Sequence, residues 1–161
     1  LQTIVVRVDG EGYFTSQDQG ATWSLTFPAT ETMDFAASLV YNPHTGHFWG
    51  ARYTVVPEKG VAYVEVQLLR SLDRGVSWQP MRTGIRQHEG QFAVSADEQT
   101  ILLGTSGGGV YVSLDGGAAF QKVSPGEAGG YFVALNAQGT EFYYMADDDF
   151  LYKGSIVKEA Q

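Results

Sequence analysis

Short apolar runs alternate with turns that contain Gly, Asp or Asn along the chain. Thr3-Ile4-Val5-Val6 and Thr100-Ile101-Leu102-Leu103 each lead through a Gly-rich turn into a second apolar run. Such runs have the length of strands and are rich in β-branched and aromatic residues, whereas helix-favouring runs are few. The pattern therefore predicts an all-β fold of short antiparallel strands.

A repeated octapeptide, Ser-x-Asp-x-Gly-x-x-aromatic, follows the second apolar run in three places. The Asp side chain accepts hydrogen bonds from backbone N–H groups of its own turn, and Gly supplies a positive φ that other residues resist. The aromatic residue starts the returning strand, and we expect its ring to lie in the core under the neighbouring sheet. The residues concerned are Ser16, Asp18, Gly20 and Trp23; Ser71, Asp73, Gly75 and Trp78; and Ser113, Asp115, Gly117 and Phe120.

This octapeptide resembles the Asp-box, or BNR repeat, of sialidase-like and sortilin-like β-propellers. The resemblance implies a small β-propeller of about four antiparallel sheets, with the boxes on outer strands and remote from a central ligand site. It also favours an extracytoplasmic location, secreted or periplasmic. Because a Gly follows each Asp two residues later inside a turn, we interpret Asp18, Asp73 and Asp115 as turn-stabilising acceptors.

Strand patterns around the boxes divide the chain into four repeat units within one expected domain, residues 1–161. The first unit shows strands two to four of the repeat, the middle two units show all four strands, and the last shows strands one to three. In the last unit we expect a degenerate box, with Lys153 and Ser155 in place of Ser and Asp. The units cover about 1–28, 30–82, 88–124 and 129–158.

The incomplete first and last units leave three arrangements open. The terminal strands can complete each other's sheets in one small ring. Alternatively, the chain is a structural segment of a larger propeller, or two chains assemble one as a homodimer. The apolar strands Thr3 to Val8 and Leu151 to Ile156 need partners, which favours a compact set of about four sheets.

The second unit carries the clearest departure from the repeat. Its box follows the first by 55 residues, whereas the third follows after 42. The extra length predicts two long strands, Arg52 to Val56 and Val61 to Arg70, joined by Pro57-Glu58-Lys59-Gly60 in a projecting hairpin. Phe48 and Trp49 are adjacent on a strand, so their rings point to opposite faces. We expect only one of them to face a core, which leaves the other for a binding surface.

Composition excludes several classes of protein. A length of 161 residues with 43% hydrophobic content suffices for one buried core. The net charge of −8 argues against nucleic acid or an anionic membrane as partner, and favours a basic protein, a cation or simply solubility. No apolar run reaches the roughly 18 residues that span a bilayer, so we expect a soluble protein without membrane insertion. The absence of cysteine excludes disulfides and thiolate metal sites.

Two groups of residues have side chains of the kind that bind metal ions. Asp147, Asp148 and Asp149 offer carboxylate oxygens that suit Ca²⁺, but they occupy a hairpin turn without a recognised calcium-loop spacing. His44, His47 and His88 would suit zinc, but His44 and His47 flank Gly46 in a turn and no third ligand is near in sequence. We therefore expect no metal and no cofactor.

A sialidase-like enzyme needs three Arg side chains, a Tyr–Glu nucleophile and an acid, and a glycosidase needs two carboxylates across a cleft. Arginines are sufficient in number, but the Arg-Ile-Pro segment typical of sialidases is absent. Carboxylates in the connections between units are candidates for such a rim. They are Glu31, Asp34, Glu89 and Glu127.

The favoured hypothesis is a non-enzymatic binding module that uses its loops and the 52–70 hairpin to bind a macromolecule, most simply a protein. Strong acidity would suit an inhibitor or immunity-type protein with a basic partner. The alternatives are a sialidase-like glycoside hydrolase or glycan-binding domain, and a structural segment of a larger propeller. The candidate binding residues are Pro57, Glu58, Lys59, Trp49, Glu31, Asp34 and Glu89.

Overall fold

The computed structural model describes residues 2–29, 39–87, 91–125, 129–146 and 148–157. Within these ranges the secondary structure consists of fourteen strands, numbered β1 to β14, without a helix. The strands form four antiparallel sheets that contain three, four, four and three strands in chain order. The predicted all-β class, with about four sheets and an incomplete first and last sheet, is confirmed. In the described part of the chain, no helix is long and apolar enough to cross a membrane.

Three strands in meander order form the first sheet. Alternation places Val5 and Tyr13 on one face, where both are buried, and Ile4 and Val8 on the other, where they are 38% and 37% exposed. One face of this sheet therefore belongs to a core and the other faces outward. The strands are β1 (Ile4–Val8), β2 (Gly12–Ser16) and β3 (Ser24–Pro28).

The second sheet is built around a long hairpin. Its two central strands pair along eleven residues each, whereas the outer strands contact only the part of the hairpin near residues 48–49 and 67–70. The outer half of the hairpin therefore extends beyond the sheet as a two-stranded ribbon. The strands are β4 (Val40–Tyr41), β5 (Phe48–Glu58), β6 (Val61–Ser71) and β7 (Gln79–Arg82).

Phe48 and Trp49 lie side by side at the start of β5. They point to opposite faces, as predicted, but both are buried, with exposed fractions of 6% and 0%. The expectation that only one of them faces a core is wrong, because both faces of β5 are covered at this point.

Contacts divide the chain into two compact units, Leu1–Arg82 and Thr83–Gln161. In the first unit, Tyr13 joins the first sheet to the second. Its ring centroid lies 4.8 Å from that of Trp78, and its hydroxyl donates to the Ala51 carbonyl oxygen at 2.9 Å. A Cβ at position 50 would lie 2.6 Å from the Tyr13 hydroxyl oxygen, so Gly50 makes room for this ring.

The second unit contains the third and fourth sheets, whose facing side chains form its core. Leu102, Val110 and Val112 of the third sheet pack with Phe142 and Tyr144 of the fourth. The strands are β8 (Phe92–Val94), β9 (Ile101–Thr105), β10 (Gly109–Ser113) and β11 (Gln121–Lys122), followed by β12 (Gly130–Leu135), β13 (Glu141–Ala146) and β14 (Leu151–Ser155).

The expected degenerate box in the fourth sheet needs correction. In the first and third sheets, the box serines Ser16 and Ser113 stand four residues after the hairpin closes at Gly12 and Gly109. In the fourth sheet the hairpin closes at Phe150, so the same count gives Gly154 rather than Lys153 or Ser155. A Cβ at position 154 would lie 2.1 Å from the ring of Phe142, which excludes a serine there.

Candidate functional site

The first Asp-box is a closed set of local hydrogen bonds. Ser16 Oγ donates to Asp18 Oδ1 at 2.8 Å and accepts from the Gly20 N–H at 2.7 Å. Asp18 also accepts from the backbone N–H of Thr22 at 2.8 Å and from its hydroxyl at 2.6 Å. Both side chains are thus held by their own turn.

The second and third boxes repeat this arrangement. Ser71 Oγ donates to Asp73 at 2.9 Å, and Ser113 Oγ donates to Asp115 at 2.7 Å. The N–H of the box glycine donates to the serine oxygen at 2.7 and 2.8 Å. Each box closes its own turn, in the second and the third sheet respectively.

These hydrogen bonds hold the carboxyl groups in the ionised form. The hydroxyl and the N–H of Thr22 lower the pKa of Asp18 to about 2. Burial opposes ionisation of Asp73, but hydrogen bonds from Ser77 and Ser71 outweigh it and lower the pKa. The Ala119 N–H and the Ser113 hydroxyl lower the pKa of Asp115. An ionised acceptor engaged by its own turn is poorly suited to donate a proton in catalysis.

The three box rings differ in burial. Trp78 is 8% exposed and its Nε1 donates to Thr26 Oγ1 at 3.2 Å, whereas Phe120 is half-buried. Trp23 is 42% exposed, so the expectation that it lies in the core is wrong. The two tryptophans differ in burial because of the sheet beside them. Trp78 packs against the first sheet, whereas in the described part of the first unit no sheet covers the corresponding side of Trp23.

The tip of the β5–β6 ribbon is the most prominent exposed feature of the second sheet. Pro57, Glu58, Lys59 and Gly60 are all exposed. Lys59 and Gly60 have φ of +50° and +82°, which is the left-handed pair of a tight hairpin turn. The structure therefore brings three of the predicted binding residues together at one tip.

One side of the ribbon behind this tip is apolar. Val55 pairs across the strands with Val64, and Pro57 pairs with Ala62. The first pair is half-buried and the second is exposed. Since Pro57 has no N–H, the tip of β5 is a poor template for adding a further strand, and contacts here would be made by side chains.

An ion pair between a buried carboxylate and an exposed guanidinium holds the root of the ribbon. Glu65 is 1% exposed, and it accepts from Arg82 through Nε at 3.1 Å and through a terminal nitrogen at 2.5 Å. These bonds and the charge of Glu65 raise the pKa of Arg82. Beside them, Arg52 Nε donates to Gln67 at 2.7 Å, and its guanidinium carbon lies 4.6 Å from the centroid of the Phe27 ring.

Sequence reasoning missed this root cluster. The available signal was Glu65 and Gln67, which alternate with valine and leucine inside a predicted strand. A charged residue in such a run is rarely fully buried without a partner. The partner Arg82 is 17 residues away, across the box turn, so no local pattern points to it.

The other predicted site residues are either buried or lie outside the residues that the structure describes. Trp49 is fully buried, and the guanidinium carbon of Arg70 lies 5.0 Å from the centroid of its ring. A terminal nitrogen of Arg70 also lies 3.5 Å from His47 Nδ1. Several candidates fall outside the described residues: Glu31, Asp34, His88, Glu89, Glu127 and Asp147.

The two groups of residues considered above as metal ligands do not form a metal site in the described part of the chain. Among the described residues, no group of three or more His, Asp or Glu side chains is placed to hold a metal ion. Asp148 accepts from the Tyr152 hydroxyl at 2.6 Å and from the Phe150 N–H at 3.1 Å, which lowers its pKa.

A cavity of about 240 Å³ lies in the first unit between Gln2, Tyr41, Phe48 and Arg74. This volume is below the roughly 300–1,000 Å³ typical of small-molecule sites.

Comparisons with known proteins agree with the boxes and the sheets. Residues 14–25 match the family model described as BNR/Asp-box repeat. A search of curated proteins finds no match. Among solved structures, the chain is similar to the GH74 enzyme of Niastella koreensis, with a TM-score of 0.62 and 18% identity, over 91% of this chain and 25% of that chain.

Two further structures are similar to the chain. One is YCF48 bound to D1 peptide, with a TM-score of 0.46 and 11% identity, over 97% of this chain and 62% of that chain. The other is YCF48 from Cyanidioschyzon merolae, with a TM-score of 0.43 and 11% identity, over 94% and 66%. The chain thus spans a quarter of the GH74 enzyme and less than two thirds of either YCF48 chain.

The boxes, the four sheets and the fold shared with the GH74 enzyme define the class of this protein. Its fold is small, all-β and propeller-like, and it carries Asp-box repeats.

Proposed function

We propose that the chain is a non-enzymatic binding module whose β5–β6 ribbon contacts a protein partner. The observation that carries this proposal is that β5 and β6 run past both neighbouring strands, so that the tip stands beyond the sheet. Loops and hairpins held by a rigid scaffold are where binding residues usually lie.

The ribbon offers the mixed chemistry of a protein-contact surface. Pro57 and Ala62 are exposed on its apolar side, and Glu58 and Lys59 place opposite charges at its tip. The Glu65–Arg82 ion pair and the Arg52–Gln67 hydrogen bond fix its root. A ribbon held at its root loses less conformational entropy on binding than a free loop.

Two observations favour binding over catalysis. The carboxylates of Asp18, Asp73 and Asp115 are engaged by their own turns. The net charge of −8 gives an electrostatic attraction to a basic partner, in accord with an inhibitor or immunity-type role against a basic protein.

A photo-crosslinking residue at Lys59 tests the proposal in cells that produce the protein. The same residue at Glu11, in the exposed turn of the first sheet, is the control. We expect a protein adduct from position 59 and not from position 11. The captured protein is then purified, and its Kd is measured for Glu58→Lys and for the charge-matched control Glu11→Lys.

We expect Glu58→Lys to weaken binding at least tenfold and Glu11→Lys to change it less than threefold. Equal effects of the two variants would contradict a role of the tip. The purified chain is also assayed with sialosides and common aryl glycosides. Turnover there would replace the binding hypothesis with the glycoside hydrolase alternative.

A further inference from the structure

The fourth sheet exposes an apolar row on one face. Phe132, Met145 and Leu151 are directly opposite one another on β12, β13 and β14. Their exposed fractions are 56%, 37% and 68%. Beside this row, Tyr143 is opposite Lys153. We call this surface the receiving face.

The first sheet also exposes an apolar face, away from its core. Ile4, Trp23 and Leu25 are 38%, 42% and 51% exposed. A Cβ at Gly20 would lie 3.7 Å from the Trp23 ring and 3.8 Å from the Ile4 side chain, so the box turn belongs to this surface. We call it the box face.

The first unit shows how two such faces fit together. The inner face of its first sheet receives the box of the second: the Tyr13 and Trp78 ring centroids are 4.8 Å apart, and Thr15 Oγ1 donates to the Gly75 carbonyl oxygen at 2.6 Å. In the second unit, the corresponding face of the third sheet receives the fourth, with Val110 against Gly130. Each unit thus contains one pair of neighbouring sheets in which the same face of the preceding sheet is covered by the following one, by a box in the first unit and by Phe142, Tyr144 and Gly130 in the second.

The hairpin registers relate the exposed faces to the packed ones. Counted from the hairpin closure, Leu151 stands at the position of Tyr13, and Lys153 at that of Thr15. Counted along the box, Trp23 stands at the position of Trp78, and Gly20 at that of Gly75. The receiving face is therefore the counterpart of a surface that accepts a box, and the box face presents one.

We propose that the receiving face of one copy of this chain binds the box face of a second copy, with Leu151 against Trp23. Lys153 then faces the Gly20 carbonyl oxygen, as Thr15 faces that of Gly75. Within one chain the Lys153 ammonium lies 2.7 Å from Glu141 Oε1, and the Gly20 carbonyl oxygen accepts from Trp23 Nε1 at 3.1 Å. The contact therefore rests on the apolar side chains and on the matching hairpin positions, not on a difference in charge between the two faces. Because the two faces differ, the contact is head-to-tail, and it closes as a dimer only if a second identical contact forms.

Sedimentation equilibrium over a wide concentration range tests this association. We expect the mass to rise above the 17.5 kDa of one chain with increasing concentration. Leu151→Glu and Trp23→Glu should each weaken association at least tenfold. Leu72→Glu, at a residue that is 48% exposed in the second box turn, should not. Constant monomer mass, or equal effects of all three variants, would overturn the proposal.

Crosslinking distinguishes association between copies from closure within one chain. Leu151→Cys and Trp23→Cys are made as separate proteins, in a chain that has no other cysteine. A short bis-maleimide added to their mixture should give a covalent dimer, whereas Leu151→Cys mixed with Leu72→Cys should not. A chain that carries both Leu151→Cys and Trp23→Cys and crosslinks only to itself, as a monomer, would overturn the proposal in favour of closure within one chain.

Discussion

Thr15 and Gly75 are 60 residues apart, yet the Thr15 hydroxyl donates to the Gly75 carbonyl oxygen at 2.6 Å. This bond joins the box turn of the second sheet to the inner face of the first. The box therefore has two roles in the first unit: it closes its own hairpin, and it supplies the backbone surface on which the preceding sheet packs.

Replacing Gly75 should be more damaging than replacing Gly60, although both have a φ of +82°. An alanine at either position lowers the free energy of unfolding by about 1 kcal/mol, because it must adopt the left-handed conformation. At position 75 its Cβ would also lie 2.6 Å from Val5 and 2.8 Å from Thr15, whereas position 60 is open. Such overpacking adds about 1–3 kcal/mol.

Urea unfolding of Gly75→Ala and Gly60→Ala measures this difference directly. An equal loss of stability in both variants would show that the first sheet is not packed closely enough against Gly75 to exclude a methyl group.

The ion pair at the ribbon root should respond strongly to loss of its cation. Arg82→Gln leaves the buried Glu65 carboxylate without its guanidinium, which we expect to cost about 1–3 kcal/mol. The 61% exposure of Arg82 admits water and keeps the loss below that of a fully buried pair. Lys59→Gln removes the same charge at the exposed tip and should change stability by less than about 0.5 kcal/mol.

A double-mutant cycle with Glu65→Gln isolates the pair from its surroundings. We expect the double variant to be more stable than the sum of the two single losses predicts. Additive losses in chemical unfolding would mean that Glu65 is stabilised by other groups.

The boxes illustrate which features of the fold a sequence reveals. Ser16, Asp18 and Gly20 contact one another within five residues, so their geometry follows from local sequence alone. The burial of the following ring does not, because it depends on whether another sheet lies against it. Trp23 and Trp78 occupy the same position of the same pattern and differ in exposure by a factor of about five.

The candidate site shows the same division. The tip at Pro57, Glu58 and Lys59 was predictable, because an insertion between two boxes and a turn sequence are local signals. The pairing of Glu65 with Arg82 was not, because it depends on the register of β6 with β7. The serine position of the fourth box was assigned to Lys153 instead of Gly154 for a similar reason, because only the hairpin register shows which residue faces Phe142.

The difference in burial between the two tryptophans predicts different costs of truncation. Trp78→Ala should destabilise the protein by about 3–5 kcal/mol, because it removes a buried ring and its hydrogen bond to Thr26. Trp23→Ala should cost less than about 2 kcal/mol, since nearly half of the ring is already in contact with water. Denaturant midpoints at low protein concentration, where association is minimal, provide the comparison. Equal losses would show that Trp23 is covered in solution.

Stability should fall in acid in a range set by the box carboxylates. Hydrogen bonds hold the pKa of folded Asp18 at about 2, whereas an unfolded Asp titrates near 3.9. A group whose pKa is lower in the folded state contributes stability that is fully present above the unfolded pKa. That contribution is lost as the pH falls through the folded pKa, which here means between about pH 4 and pH 2.

Asp18→Ala tests this range, with Gln17→Ala as a control in the same turn that carries no titratable group. We expect the gap in urea midpoint between wild type and Asp18→Ala to be constant from pH 7 to pH 5. It should then narrow as the pH falls from 4 toward 2, because the wild-type carboxylate becomes protonated and loses its charge-assisted hydrogen bonds. The gap for Gln17→Ala should not vary with pH. A gap for Asp18→Ala that persists unchanged at pH 2 would mean that the carboxylate acts through shape and not through charge.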